Sequence, residues 1–184
     1  SVVPPSLSLG NEHARNLEAA VDAQFARCTA DVECTKRFGS PRARLDDLLQ
    51  RLHEHPQRVT YRDPLTNEQR EDEFTDAALA SVVRFHSYAP QLFGMLPMLL
   101  AEAANGQFGN LMAQSRMLEQ LIGEQISVPL QLSVMCTEDA PGLRVDPADA
   151  GTLLGTEFVD YTLAQCAAWP RGTMPKDFHA VVKS

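Results

Sequence analysis

The chain has no run approaching the ~18 apolar residues that a membrane-spanning helix needs, so no membrane partner is expected. It is also short of cationic side chains: 16 Lys and Arg face 24 Asp and Glu, for a net charge of -8. Clustered Lys and Arg hold nucleic-acid phosphates, so this balance argues against nucleic acid. Arg42, Arg44 and Arg51 lie near one another, but Asp46, Asp47 and Glu54 interleave with them. That pattern is a solvated helix face. Catalytic signatures are missing as well. There is no G-x-S-x-G, C-G-x-C-W or S-x-x-K to carry a nucleophile. No G-x-x-x-x-G-K or G-x-G-x-x-G is present to cradle phosphate or a dinucleotide. The opening "SVVPPSLSLG" lacks the basic start and apolar middle of a signal peptide, an absence that a mature or truncated chain would share.

What is there is a globular composition, 44% hydrophobic and 22% charged over 184 residues. That is enough chain for one domain with a buried core. The four cysteines, Cys28, Cys34, Cys136 and Cys166, allow three pairings. Six residues of straight helix rise about 9 Å, beyond the ~7 Å limit on Cα separation for a disulfide. A 28–34 bridge therefore requires a bend inside "CTADVEC", where Asp31 can start a new helix. Buried free thiols and zinc are the rival readings. C-x5-C is not a zinc-knuckle spacing, however, and no histidine lies close to either pair. Disulfides would imply an exported protein.

Most of the chain carries helical spacing. Leu17, Ala20, Val21, Phe25 and Cys28 share one face. Ser40 and Pro41 open a second helix, with Leu45, Leu48, Leu49 and Leu52 inward and Pro56 as its stop. "RVTYRDPLTNEQREDEF" reads as a β-hairpin near 58–74, turning at "DPLTN". Thr75 caps a helix bearing Leu79, Val82, Val83 and His86, which Pro90 interrupts. Leu96, Leu99, Leu100 and Ala103 mark the next, ending at Asn105-Gly106. Another begins near Asn110 with Leu111, Leu118, Leu121, Ile122 and Gln125. Asp146-Pro147 opens a last long helix with Leu153, Leu154, Phe158 and Tyr161 inward. "QLSVM" (Gln131 to Met135) reads as an isolated strand. A lone strand is not stable, because its backbone groups need a partner, so a missing sheet is implied. The expected fold is mainly α: about six helices, one hairpin and one orphan strand. Its regions are an entry loop (1–10), a helical part (11–130) and a return segment (131–184).

The orphan strand runs into Cys136, Glu138 and Asp139. The two acids read either as turn residues or as a carboxylate site for a substrate's free amino group, held by a charge-assisted hydrogen bond. The five histidines, His13, His53, His55, His86 and His179, read as surface or core. His53 and His55, at i and i+2, diverge on a helix and cannot share a metal. His86, on an apolar stripe, is the one to watch.

Four pieces in order resemble one family: "LEAAVDAQFARCTADVECTKRFGSPRARLDDLLQRLHEHP", "YRDPLTN", "SVMCTED" and "CAAWP". Over nearly its whole length the chain resembles the middle of the secreted tripeptidyl aminopeptidases, α/β-hydrolases related to proline iminopeptidase. In that family the triad runs Ser, Asp, His, with a helical cap inserted between the Ser and Asp segments. The resemblance implies that this chain starts after the Ser strand and helix and stops at "FHAVVKS", just before the strand that would carry the Asp. No catalytic residue, metal ligand or cofactor is then expected in it. It would be a cap that covers the active site of the same parent's hydrolase core and limits the reach of a peptide or ester substrate. Glu138, then Asp139, would bind the substrate N-terminus, and the protein would be periplasmic or secreted in a bacterium. The resemblance also supports Cys28–Cys34 and Cys136–Cys166 as disulfides. A cap cut from its core would self-associate, in part through the orphan strand's edge.

Two other readings compete. A free-standing helical binding module stapled by disulfides explains the helices but not the lone strand. A self-contained hydrolase using Glu138, Asp139 and His86 lacks any nucleophile or metal pattern.

Overall fold

The computed structural model describes residues 7–178 and residue 180. Pro4 and Pro5 of the expected entry loop, His179 and the final "VVKS" lie outside the described residues. In chain order the elements are α1 (His13–Ala30), α2 (Val32–Phe38), α3 (Pro41–Glu54), β1 (Gln57–Arg62), β2 (Gln69–Phe74), α4 (Asp76–His86), α5 (Pro90–Phe93), α6 (Leu96–Ala104), α7 (Gly109–Gln125), α8 (Val128–Val134), a π-turn (Met135–Asp139), a 3-10 turn (Pro147–Gly151) and α9 (Glu157–Ala168). The protein is mainly α with one antiparallel hairpin, as its sequence predicts.

Local chemistry sets several boundaries. Asp31, Ser40 and Thr75 are extended residues whose side chains accept the N–H of Cys34, Ala43 and Ala78, starting α2, α3 and α4. Each satisfies one of the unpaired donors of a helix's first turn. The break at Asp31 supplies the bend that a bridge between Cys28 and Cys34 requires. Their Cα atoms stand 5.3 Å apart and the sulfurs are bonded. The second bridge is Cys136–Cys166. In the hairpin turn the Asp63 carboxylate accepts the N–H groups of Leu65 and Thr66, both at 3.0 Å. Asn67 takes the left-handed conformation there (φ 58°), which asparagine tolerates well.

The chain forms two compact units. One comprises Ala19–Gln125. Its core is built from Val21 and Phe25 of α1, the leucines of α3, Leu79, Val82 and Val83 of α4, and Leu96, Leu99 and Leu100 of α6. Helix α3 packs on α4 and α6, and α7 packs on α4 and β1. The hairpin buries Val59 and Tyr61 by alternation, and Phe74 at its end. The other unit joins the described residues up to Glu18 to those from Ile126 onward. Asn11 donates to the Gly142 carbonyl and accepts the Arg144 N–H. Arg15 pairs with Asp146 and with the buried Asp149. A Cβ at position 142 would collide with Ser8 Oγ, so any larger residue there requires the Ser8 side chain to move.

Three expectations are corrected. "QLSVM" is not a strand: Gln131 to Val134 belong to α8 and Met135 begins the π-turn. Val128, Leu130 and Val134 are exposed, while Leu132 packs on the cluster of Cys136, Ala140 and Cys166 at helix-like spacing. A helix also satisfies its backbone internally, which a lone strand cannot do. No strand edge is therefore present there to drive self-association. The last long helix is divided. Asp146 caps only the 3-10 turn, Gly155 adopts a positive φ of 55°, and α9 begins at Glu157. On α9 the buried face is Val159, Thr162 and Cys166, whereas Tyr161 is 66% exposed. At the end of α7, Leu121 and Gln125 face solvent rather than the core.

Candidate functional site

The π-turn is where the predicted site residues fall. Its defining hydrogen bond runs from the Ala140 N–H to the Met135 carbonyl, 2.8 Å long. Wide turns of this kind recur at functional sites. Four of its five side chains are engaged. Met135 is buried, with the Gln131 amide donating to its sulfur at 3.5 Å. Cys136 is bonded to Cys166. The Thr137 hydroxyl accepts the Gly172 N–H at 2.9 Å. The Asp139 carboxylate accepts the Leu9 N–H at 2.7 Å, and its carbonyl accepts the Gly142 N–H. Glu138 is half-buried, and among the described residues its carboxylate has no recorded hydrogen-bond or ion-pair partner.

The neighbourhood fixes this turn further. Arg171 donates two hydrogen bonds to the Cys166 carbonyl, and the Trp169 indole donates to Ser133 Oγ at 3.3 Å. Trp169, Leu163 and Leu132 pack against Cys136, Ala140 and Cys166. One free carboxylate thus stands on a backbone held from both sides. The two acids that the sequence singles out have different roles: Asp139 holds the N-terminal segment, and Glu138 is available.

His86 lies in the other unit and is 0% exposed. Neither ring nitrogen makes a well-formed hydrogen bond. Burial pushes its pKa below the ordinary value, outweighing the opposing effect of the Val82 carbonyl. A sealed neutral imidazole is not placed to exchange protons with a substrate. His53 is on the surface, its Nδ1 2.8 Å from Asp76.

The sequence reading missed a polar cleft of about 520 Å3 between the hairpin and α7. Tyr61 donates to Asp72 at 2.8 Å, and Arg116 pairs with both Asp72 and Glu119. Burial, and then the Asp72 carboxylate, push the Tyr61 hydroxyl's pKa up. Asp63 is engaged by its turn and by Arg70. The charged side chains of this cleft pair with one another, as in a structural network, although the buried Arg116 Nε makes no hydrogen bond. Strand alternation flags Tyr61, but nothing in the sequence marks Arg116 as its neighbour. Among the described residues no three His, Cys, Asp or Glu side chains converge as a metal site. Nor is any helix there long and apolar enough to cross a membrane.

Compared with family models, curated proteins and solved structures, the chain matches none.

Proposed function

We propose that this chain is the cap of an exported serine exopeptidase-like α/β-hydrolase, and that Glu138 receives the ammonium group of a peptide N-terminus. The observation that carries the proposal is the π-turn on which Glu138 alone is unengaged, while Cys136, Thr137 and Asp139 are each tied to another segment. A carboxylate on a fixed backbone gives up little freedom on binding a cation, and an N–H to carboxylate bond is among the stronger hydrogen bonds. The order and spacing of the four sequence pieces support the family reading. The orphan strand no longer does, since that segment is helical. Two disulfides fit an oxidising compartment, periplasmic or extracellular. In this reading the partner is the hydrolase core of the same parent chain. The cap excludes water and limits substrate reach, and the triad lies outside this chain. Isolated from that core, the cap self-associates through apolar side chains such as Val128 and Leu130, exposed on α8.

The test compares this chain with the product of its whole reading frame on aminoacyl and tripeptidyl p-nitroanilides. The chain alone should be inactive and the whole product active. Glu138→Gln in the whole product should raise KM by about tenfold or more, the loss of one charge-assisted bond, with kcat little changed. Activity of the purified chain alone, or a reading frame without an elbow Ser upstream and an Asp and a His downstream, would overturn the proposal. The second reading, a free-standing helical binding module, gains from α8, which removes the unpaired strand. It predicts a gene that encodes a signal peptide close to Ser1 and stops at Ser184.

A further inference from the structure

We propose that the Cys28–Cys34 bridge is a thiol–disulfide exchange site, and that its opening releases α2 while the remainder of the chain stays folded. The inference is independent of the hydrolase reading.

The two bridges sit in different surroundings. Cys136 and Cys166 are 0% and 1% exposed and lie in an apolar cluster with Ala140. A thiolate reaches that bond only after the cluster opens. Cys34 is half-buried on a helix that has no buried residue, and its neighbour Val32 is 79% exposed. Exchange rates depend on access to the attacked sulfur.

What holds α2 is local. Its first-turn N–H at Cys34 is capped by Asp31, and the Thr35 hydroxyl donates to the carbonyls of Cys28 and Thr29. Among the described residues, every recorded side-chain hydrogen bond of Val32–Phe38 goes to residues 28–31. Helix α2 lies beside α6 with no recorded side-chain hydrogen bond to it among those residues. A helix of 7 residues without a buried face is far below the ~12–15 residues at which isolated helices become marginally stable. Once untethered, it should fray. The core made by α1, α3, α4 and α6 is built from other residues and should persist.

The reductant is a dithiol, small or on a protein. Its thiolate attacks Sγ of Cys34, forms a mixed disulfide and expels Cys28 as a thiolate. The second thiol of the reductant then attacks the mixed disulfide and expels Cys34. Two electrons pass from the dithiol, which leaves with its own disulfide. Its two protons end on Cys28 and Cys34.

The experiment uses the oxidised chain in native buffer with dithiothreitol, sampled over time, quenched with iodoacetamide and read by mass spectrometry. Cys28 and Cys34 should be labelled at least about tenfold faster than Cys136 and Cys166, because the buried pair requires an opening step. Hydrogen exchange at that stage should rise across residues 32–38 and stay low in 41–54. Reoxidation should restore protection. Equal labelling of the two pairs, or earlier labelling of Cys136 and Cys166, would overturn the proposal. So would unchanged protection of α2 after reduction, or exchange that rises throughout α3.

Discussion

Replacing Cys136 and Cys166 together by alanine should be the most costly change at the π-turn, and the cost can be worked from the chain. The bridge closes a sequence separation of 30. For a loop of that size the lost restraint on the unfolded chain is ~3.6 kcal/mol at 25 °C. The Cys28–Cys34 separation is 6, for which the same relation gives ~2.2 kcal/mol. The chain's single tryptophan, Trp169, packs on the cluster that contains Cys136 and Cys166, so its fluorescence reports on that part of the molecule. With a urea m-value of about 1.5 kcal/mol/M, the double variant's midpoint should fall by roughly 2.4 M. Cys28→Ala/Cys34→Ala should lose less. A fall below about 1 M for Cys136→Ala/Cys166→Ala would refute the reasoning. The unfolded chain would then not gain the freedom that the loop length implies.

The two acids should separate by stability. Asp139→Ala, which frees the Leu9 N–H, should cost about 1 kcal/mol, whereas Glu138→Gln should stay within about 0.5 kcal/mol of the parent; urea titrations followed by Trp169 fluorescence decide it. Thr75→Ala removes the cap on Ala78 and should cost about 1 kcal/mol, read by circular dichroism during urea unfolding. His86 should make the fold acid-sensitive. Its folded pKa lies below 6.5 because of burial, so in the window below 6.5 the unfolded chain binds a proton that the native state refuses. Stability therefore drops as pH falls from 6.5 through that window. His86→Leu should show a smaller loss of urea midpoint between pH 7.5 and pH 5 than the parent, and an equal loss would contradict this.

Much of the fold was legible where one residue decides a boundary. Asp31, Ser40 and Thr75 read as caps because their side chains answer a donor within three residues. The hairpin showed through "DPLTN" and the alternation of Val59 and Tyr61. Reading failed where the deciding contact is distant in sequence. Residues 128–134 alternate like a strand, yet Leu132 packs near Cys166 and Trp169, and a local window cannot see that cluster. The inward face of α9 shifted for a related reason: the break at Gly151–Thr156 resets the helical phase, so extrapolation from Asp146 turned Tyr161 inward when it is outward. At the candidate site, Glu138 and Asp139 were visible as a pair. Their division of labour was not, because it depends on Leu9, which lies 130 positions away.

That separation has a consequence for synthesis. Residues 19–125 form a unit continuous in the chain, so its contacts can close as the polypeptide leaves the ribosome. The unit containing the π-turn needs both Leu9 and the stretch from Ile126 onward. Its short early segment must wait for those later residues while the intervening helices are made. Contacts of such long sequence separation form late. Nascent chains arrested before residue 139 emerges should therefore be protease-sensitive within residues 7–18 and already resistant within residues 19–125.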